Sequence, residues 1–171
     1  MATAPNQRRA TDLCRVRGGK DGWLSLVLVI NCHTRQLMGW HLSRTGKAST
    51  AAAALEQALI ARFSTLGRGS EPFLLRSDNG LVFTCRDYAR LVRSYGLQQK
   101  FITQHYPQQN GMVERAIRTL KEQCINRHRF ESRTHALRVI ADRIAFYNRQ
   151  RPHQALKMMT SDAVYAATLV A

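Results

Sequence analysis

Apolar residues are concentrated in three short stretches within the first 43 residues, and polar, turn-forming residues separate these stretches. Residues 10–16, 23–31 and 36–43 each have the length and the apolar content of a β-strand. The second stretch is almost entirely apolar, which predicts a central strand. Because the connections are too short for a crossover, the three strands are predicted to be antiparallel.

From residue 48 onward the spacing of apolar residues changes to that of helices. A helix is predicted to begin at a cap formed by Ser49 or Thr50 and to end at the Gly-rich segment 67–69. Residues 73–75, Phe-Leu-Leu, then predict a short buried strand.

The second half of the chain predicts three more helices and one strand. Thr84 and Asp87 have the spacing of a capping box, and Gly96 is predicted to end the helix that they open. A fifth strand is predicted at residues 97–102. Two long helices follow, at residues 111–129 and 132–149.

The predicted order of elements, βββαβαβαα, defines an α/β fold. We expect a mixed five-stranded sheet, with three antiparallel strands followed by parallel strands, flanked by helices on both faces. The length of 171 residues fits one domain. We assign this domain to residues 10–155, between an N-terminal tail at 1–9 and a C-terminal tail at 156–171.

The charge of the chain indicates the class of partner. There are 26 Lys and Arg residues against 11 Asp and Glu, which gives a net charge of +15, and 21 of the cations are Arg. Such an excess is typical of a protein that binds nucleic acid, although a generic basic protein of the ribosomal type has the same composition. Charge therefore predicts the partner and leaves the chemistry open.

Other sequence features exclude several classes of protein. The longest apolar run covers residues 23–30, too short for the ~18 residues of a transmembrane helix, so no membrane association is expected. The four cysteines form no C-x-x-C pair and have no zinc-ligand spacing, which predicts reduced thiols in a cytoplasmic protein.

Three acidic residues occupy unusual positions. Asp12 lies inside the first predicted strand, Asp78 follows the fourth, and Glu114 opens a long helix. A carboxylate inside a strand costs several kcal/mol unless it is paired, and a divalent cation shared by all three acids would pair them. Each acid also has an ordinary explanation, as a strand-edge acid, a turn residue and a helix-start acid respectively.

The spacing of these acids resembles a known family. Asp78 and Glu114 are separated by 35 residues, and the segments 76–80 (RSDNG), 107–115 (PQQNGMVER) and 147–153 (YNRQRPH) accompany them. This D, D-35-E pattern is similar to that of the integrase catalytic core, which retroviral-type integrases share with bacterial insertion-sequence transposases. The resemblance extends from about residue 11 to 152.

The resemblance implies an RNase H-like fold and a DNA transposase or integrase activity, in which a DNA strand is cleaved and then transferred. It implies that Asp12, Asp78 and Glu114 are both the catalytic residues and the ligands of two Mg²⁺ (or Mn²⁺) ions. Two such ions activate an attacking oxygen and stabilise a leaving oxygen.

Contacts to DNA are expected from residues close to the predicted site. On the helix that begins at residue 111, Glu114, Arg118 and Lys121 share one face, so that two cations accompany the acid. The expected DNA-contacting residues are Asn79, Gln108, Asn110, Arg115, Arg118, Lys121, Arg149 and Arg151.

The expected partners are DNA, as element ends and target, and further copies of the chain in a homo-oligomer. A DNA-binding helix-turn-helix region is expected to be missing from this chain, and the location is expected to be the bacterial cytoplasm, at the nucleoid. Two alternatives remain: a catalytically silent DNA-binding remnant of a mobile element, or a standalone RNase H-like nuclease. Several positions depart from the family, among them Arg9, where relatives often carry Trp, and Gln104, where Pro is frequent.

Overall fold

A computed structural model describes residues 4, 6–64, 66, 73–103 and 106–170 of the chain. Its strands are β1 (Arg8–Arg17), β2 (Trp23–Asn31), β3 (Leu37–Ser43), β4 (Leu74–Ser77) and β5 (Gln98–Phe101). Its α-helices are α1 (Ala48–Phe63), α2 (Leu81–Thr84), α3 (Arg86–Ser94), α4 (Gly111–Gln123), α5 (Arg133–Arg149) and α6 (Ser161–Val170).

The strands form one five-stranded sheet in the order β3-β2-β1-β4-β5. β1 pairs antiparallel with β2, and β2 pairs antiparallel with β3, whereas β4 runs parallel to both β1 and β5. The predicted mixed sheet, antiparallel in its first three strands and parallel thereafter, is therefore confirmed.

The central strand β2 is buried on both faces, which explains its unbroken apolar sequence. Leu26 and Leu28 pack with α4 and α5 in one core. Val27 and Val29, which alternate with them along the strand, pack with α1 in another. The second face is completed by a core that α1, β4 and α3 share. Helices consequently cover both faces of the sheet, as predicted.

The close approach of α1 to β3 depends on Gly39. A Cβ atom at Gly39 would lie 2.7 Å from the main-chain nitrogen of Ala58 and would also overlap the carbonyl oxygen of Ala54. The absence of a side chain at this position therefore sets the distance between helix and sheet.

The predicted helix caps at Ser49 or Thr50 and at Thr84 are wrong. Both Ser49 and Thr50 lie inside α1, and the Thr50 hydroxyl donates instead to the carbonyl oxygen of Thr45 at 2.7 Å. The Thr84 hydroxyl donates to the carbonyl oxygen of Gly80 at 3.2 Å, in the turn α2 that precedes α3. In each case a nearby carbonyl competes successfully for the hydroxyl.

Two helix boundaries also differ from those expected. α1 ends at Phe63, with Ser64 in the left-handed conformation (φ 58°), and the predicted stop at 67–69 lies outside the described residues. α4 ends at Gln123 and is followed by a 3-10 turn, Ile125–Arg127, so the long helix to residue 129 is interrupted. By contrast, α5 begins where predicted, with the Ser132 hydroxyl accepting from the amide of His135.

The segment expected to be a C-terminal tail contains α6, which packs against the body of the domain. Its Asp162 accepts a hydrogen bond of 2.7 Å from the side-chain amide of Gln36, and the ring of Tyr165 lies 3.3 Å from the guanidinium carbon of Arg62. The limits of the domain at 10–155 stay a prediction. No helix in the described ranges is long and apolar enough to cross a membrane.

Arg9, the departure from the family pattern, is fully buried beneath α1. Its guanidinium lies 3.8 Å from the centre of the Phe73 ring and 5.4 Å from that of Phe63. Burial, with a smaller contribution from Arg62, lowers the pKa of Arg9. A flat cation stacked between two aromatic rings thus occupies the position where relatives often carry a flat indole. Gln104, the other departure, lies outside the described residues.

Candidate active site

Asp12 lies in the middle of β1, on the strand face that also carries Ala10 and Cys14 and packs against α4. Its carboxylate is half-buried, and its Oδ1 accepts a hydrogen bond of 2.8 Å from the main-chain amide of Leu13. Burial raises the pKa of Asp12 to about 6, and the hydrogen bond from Leu13 opposes this effect. The site therefore contains a carboxylate whose negative charge is poorly solvated.

Asp78 is brought beside Asp12 by the parallel pairing of β1 with β4. The register of these strands pairs Ala10 with Arg76, and Asp12 and Asp78 each follow two residues after this last pair, towards the same end of the two strands. Asp78 follows the end of β4, and its Oδ1 accepts a hydrogen bond of 2.9 Å from the amide of Gly80. The turn thus orients the carboxylate at the carboxyl end of the strand, where parallel sheets commonly place functional groups.

Glu114 is in the first turn of α4 and is half-buried. The predicted apolar stripe of this helix is confirmed, since all four of its members are buried: Val113, Ile117, Leu120 and Cys124. Because that stripe faces the sheet, the adjacent face with Glu114, Arg118 and Lys121 is directed to the edge of β1. These three side chains line a cleft of about 600 Å³ together with Asp12.

Asp12 is influenced electrostatically by the other two acids. The charges of Asp78 and Glu114 add to burial in raising the pKa of Asp12, while the ammonium group of Lys121 lowers it. Neighbouring carboxylates thus contribute to the raised pKa of Asp12, although burial is its largest cause. In the described part of the chain, no group of three or more Asp, Glu, His and Cys side chains is arranged to hold a metal ion.

The chemistry of the acids nevertheless fits a hard divalent cation. Carboxylate oxygens are the ligands that Mg²⁺ and Mn²⁺ prefer, and such ions keep several waters, so few protein ligands are needed. Asp12, desolvated and repelled by two further acids, is the group whose negative charge a cation would stabilise most.

The residues predicted to contact DNA fall into separate locations. Arg118 and Lys121 line the cleft of Asp12. Gln108 and Arg115 line a second cleft of about 430 Å³, which adjoins the first because Glu114 and Arg118 line both. Four of the expected residues are therefore next to the acids.

Two predicted contact residues are engaged within the protein. The side chain of Asn110 is buried, and its Nδ2 donates to the carbonyl oxygen of Thr11 at 3.4 Å. The structure thus gives Asn110 a contact that joins the start of α4 to β1, in place of an exposed surface for DNA. Asn79 is exposed, and its amide donates to the carbonyl oxygen of Ile102 at 3.1 Å.

Arg149 and Arg151, both predicted to contact DNA, have different surroundings at the end of α5 and just after it. The exposed Arg149 has its Nε 4.0 Å from Asp162 of α6, and neither acid-lined cleft includes it. Arg151 is half-buried, and its Nη1 donates to Oε1 of Gln123 at 2.6 Å. Only Arg151 therefore faces α4.

Sequence reasoning missed two cations that line the clefts. Arg15, near the end of β1, lines the cleft of Asp12, and Arg35, in the turn between β2 and β3, lines the second cleft. Nothing in the local sequence signals Arg35, because its position near α4 depends on how the β2–β3 turn packs against a helix about 80 residues later.

Solved structures with a similar fold define the class of protein. The HTLV-2 integrase catalytic core domain in complex with magnesium, in its trimeric form, superposes with a TM-score of 0.69 at 16% identity, over 94% of this chain and 97% of that one. The catalytic core domain of BIV integrase gives a TM-score of 0.64 at 21% identity, over 95% of both chains. The fold is therefore that of integrase catalytic cores, which is RNase H-like.

The sequence assigns the family. Two models, each described as an integrase core domain, match residues 2–107 and 95–160. This chain belongs to the integrase core domain family.

Bacterial transposases are among its relatives. Transposase InsF for insertion sequence IS3A of Escherichia coli K12 is 29% identical over 153 residues, 89% of this chain and 51% of the relative. The transposase for insertion sequence element IS904 of Lactococcus lactis is 29% identical over 156 residues, 91% of this chain and 59% of the relative. The chain thus spans about half the length of the curated relatives it matches.

Proposed function

We propose that this chain is the catalytic core of a bacterial insertion-sequence transposase, which cleaves DNA strands and transfers them to a target. The observation that carries this proposal is that Asp12 and Glu114 line one cleft. The charge of Asp78 also contributes to raising the pKa of Asp12. A partly buried carboxylate beside other carboxylates is unfavourable for folding, because its charge is poorly solvated and repelled. A bound cation would compensate that charge.

In this proposal Asp12, Asp78 and Glu114 hold two divalent cations, Mg²⁺ or Mn²⁺. Cations held by these residues would supply the activation of an attacking oxygen and the stabilisation of a leaving oxygen at phosphorus. Asp12 and Asp78 are attached to paired strands, which makes their positions rigid. The HTLV-2 integrase core, which has the same fold, was solved in complex with magnesium, and this supports the choice of cation.

The role of the basic residues follows from the same arrangement. Arg118 and Lys121 lie in the cleft with the acids and would bind the phosphates on either side of the reacting one. Arg115 and Gln108, in the adjoining cleft, extend this surface along the strand. Because these contacts reach phosphates and not base edges, binding is expected to be largely independent of sequence and to weaken steeply with salt.

Nicking of a supercoiled plasmid, together with calorimetric titration of Mn²⁺, tests the proposal. Asp12→Asn, Asp78→Asn and Glu114→Gln should each abolish nicking and weaken Mn²⁺ binding while the far-UV circular dichroism spectrum is unchanged. Asp142→Asn, at an exposed acid of α5 away from both clefts, is the matched control and should behave as the wild type.

Two results would replace the proposal with another function. A wild-type chain that binds DNA but neither binds Mn²⁺ nor nicks the plasmid is a silent DNA-binding remnant. A chain that cleaves only RNA–DNA hybrids is a nuclease of the RNase H type. Wild-type nicking by Glu114→Gln would show that Glu114 is only a helix-start acid.

We further propose that the chain acts on DNA as a homo-oligomer in the bacterial cytoplasm, at the nucleoid. The HTLV-2 integrase core was solved in a trimeric and in a dimeric form, which supports self-association of this fold. A groove of about 420 Å³ between α1 and α5 has a mainly apolar lining that includes Trp40 and Ile60. Light scattering should show a mass above that of one chain, and Ile60→Glu should reduce it.

A further inference from the structure

A third cavity, of about 220 Å³, lies beside α4 and is not explained by the two-metal chemistry. It is formed where the β2–β3 turn, α4 and the segment after α5 meet. Polar and cationic side chains dominate its lining: Arg35, Arg115, Tyr147, Arg151 and His153. No carboxylate is among the described residues that line it.

Arg35 is presented to this cavity by a rigid turn. Its backbone has a positive φ of 59°, and its amide donates to the carbonyl oxygen of Asn31 at 2.9 Å. The buried side chain of Asn31 accepts a further bond of 3.2 Å from the amide of Thr34. A left-handed conformation costs a non-glycine residue about 1 kcal/mol or more, and the hydrogen bonds of the turn offset this cost.

Arg151 is also held in place without an acidic partner among the described residues. Gln123 accepts hydrogen bonds from both Arg151 and Arg143, and the guanidinium carbon of Arg151 lies 5.9 Å from the centre of the Tyr147 ring. A neutral amide fixes the direction of the guanidinium but leaves its charge uncompensated. The remaining N–H groups of its fork are available to a ligand.

The three arginines that line the cavity, Arg35, Arg115 and Arg151, form no ion pair within the part of the chain that the structure describes. The ion pairs found there are Arg44 with Asp21 and Arg149 with Asp162, both away from this cavity. The charges of Arg151 and Arg35 also contribute, after burial, to lowering the pKa of His153. Several like charges therefore converge on one polar cavity, an arrangement that an anion would stabilise.

The cavity is continuous with the proposed active site. Arg35, Met112 and Arg115 line both this cavity and the second cleft. Glu114 and Arg118 then line both the second cleft and the cleft of Asp12. A path bordered by cations thus runs from the acids along α4 to the segment after α5.

We propose that Arg35, Arg115 and Arg151 form a phosphate-binding pocket that holds a backbone phosphate of the DNA strand running from the acidic cleft. The proposal rests on the proposed function, since it takes the strand to enter at Glu114. Planar guanidinium groups bind phosphate oxygens in a bidentate manner, which fixes the register of a strand as well as its affinity. The pocket would therefore act as a positioning site at a distance from the reacting phosphate.

Metal-free binding of a short DNA duplex, measured by fluorescence anisotropy over a range of salt concentrations, tests the pocket. Arg35→Gln and Arg115→Gln should each lower the affinity about threefold to tenfold at low salt and reduce the magnitude of the salt slope by about 1. Arg90→Gln, at an exposed arginine on α3 outside these cavities, is the matched control for net charge. An affinity and salt slope equal to those of Arg90→Gln would overturn the proposal.

Two further measurements distinguish a loss of DNA binding from a loss of folding, and a site for DNA from a site for free phosphate. Arg151→Lys keeps the charge but removes the planar fork, so it should also lower DNA affinity while the thermal unfolding temperature stays close to that of the wild type. Inorganic phosphate, followed by the Nε resonances of Arg35 and Arg151, should bind weakly and be displaced by the duplex. Phosphate binding with no effect of the variants on DNA affinity would identify a site for free phosphate and would overturn the assignment to DNA.

The outcome is separable from that of the proposed function. If the wild type does not nick DNA but Arg35→Gln still lowers affinity relative to Arg90→Gln, the catalytic proposal fails and the pocket stands. If nicking depends on Asp12 while the pocket variants bind DNA as Arg90→Gln does, only the proposal of a phosphate-binding pocket is overturned.

Discussion

The side-chain amide of Asn110 donates to the carbonyl oxygen of Thr11 at 3.4 Å, across 99 residues of the chain. Thr11 precedes Asp12 on β1, and Asn110 precedes the first residue of α4, which carries Glu114. This contact therefore links the start of α4 to β1, the two elements that carry Glu114 and Asp12. We expect it to help position Glu114 relative to Asp12.

Asn110→Ala is expected to reduce nicking more than it reduces stability. The free energy of unfolding should fall by about 1 kcal/mol, because one long hydrogen bond is lost. The nicking rate should fall at least tenfold, because the start of α4, which carries Glu114, loses its hydrogen bond to β1 while its apolar stripe stays packed. Asn148→Ala is the control: it removes two bonds of 2.9 Å to the main chain of Leu37, remote from the acids, and should lower stability without a specific loss of nicking.

Asp12→Asn is expected to stabilise the metal-free protein at neutral pH. The pKa of Asp12 is raised from 3.8 in the unfolded chain to about 6 in the fold, so the folded protein binds the proton more tightly. The resulting penalty is absent below pH 4, grows between pH 4 and 6, and is complete above pH 6. At pH 7 the variant should be more stable by on the order of 2 kcal/mol in urea denaturation.

The gain from Asp12→Asn should disappear as the pH is lowered towards 4, where both proteins carry a neutral side chain. Asp142→Asn should show no comparable gain at any pH in this range. A variant that is less stable than the wild type at pH 7 would mean that Asp12 is already stabilised by a partner in the fold.

Gly39→Ala and Gly111→Ala should have opposite effects on stability. At Gly39 the added methyl group meets the main chain of α1, so the cost should be about 3 kcal/mol. At Gly111 the backbone is helical (φ −56°) and no atom lies within 4 Å of the added methyl group. That substitution should be neutral or stabilise by about 0.5 kcal/mol, since alanine restricts the unfolded chain. Urea denaturation of both variants would measure the difference.

The docking of α6 is expected to depend on Tyr165. Tyr165→Ala removes the ring over which Arg62 is stacked and should lower the free energy of unfolding by about 1–2 kcal/mol. Tyr165→Phe keeps an aromatic face and should retain most of this stability. Hydrogen exchange of the α6 amides should accelerate in Tyr165→Ala and not in Tyr165→Phe, unless the helix is held mainly by other contacts.

Elements with a strong local signal could be predicted from the sequence. β2 occupies the predicted residues because an unbroken apolar run has to be buried on both faces of a sheet. The inner stripe of α4 follows from helical spacing alone, and this spacing also oriented Glu114 and Arg118. Local periodicity was therefore enough to predict these elements and to predict which face of α4 carries Glu114.

Features that depend on long-range packing could not be predicted. The short α6 is stabilised by contacts with Gln36 and Arg62, which no local pattern reports. The hydroxyl of Thr50 donates to the carbonyl oxygen of Thr45 instead of capping α1. This hydrogen bond depends on the path of the chain before the helix. The burial of Asn110 and the placement of Arg35 beside α4 likewise follow from tertiary structure.

The parallel pairing of β1 with β4 has a consequence for biosynthesis. This pairing joins Arg8 to Leu74, and the site is complete only when Glu114 has also docked. Contacts between such distant residues form late in folding, because the loop between them has to close first. A nascent or half-folded chain therefore holds its acids apart, and under the proposed function the site that cuts DNA is assembled only when the whole domain has folded.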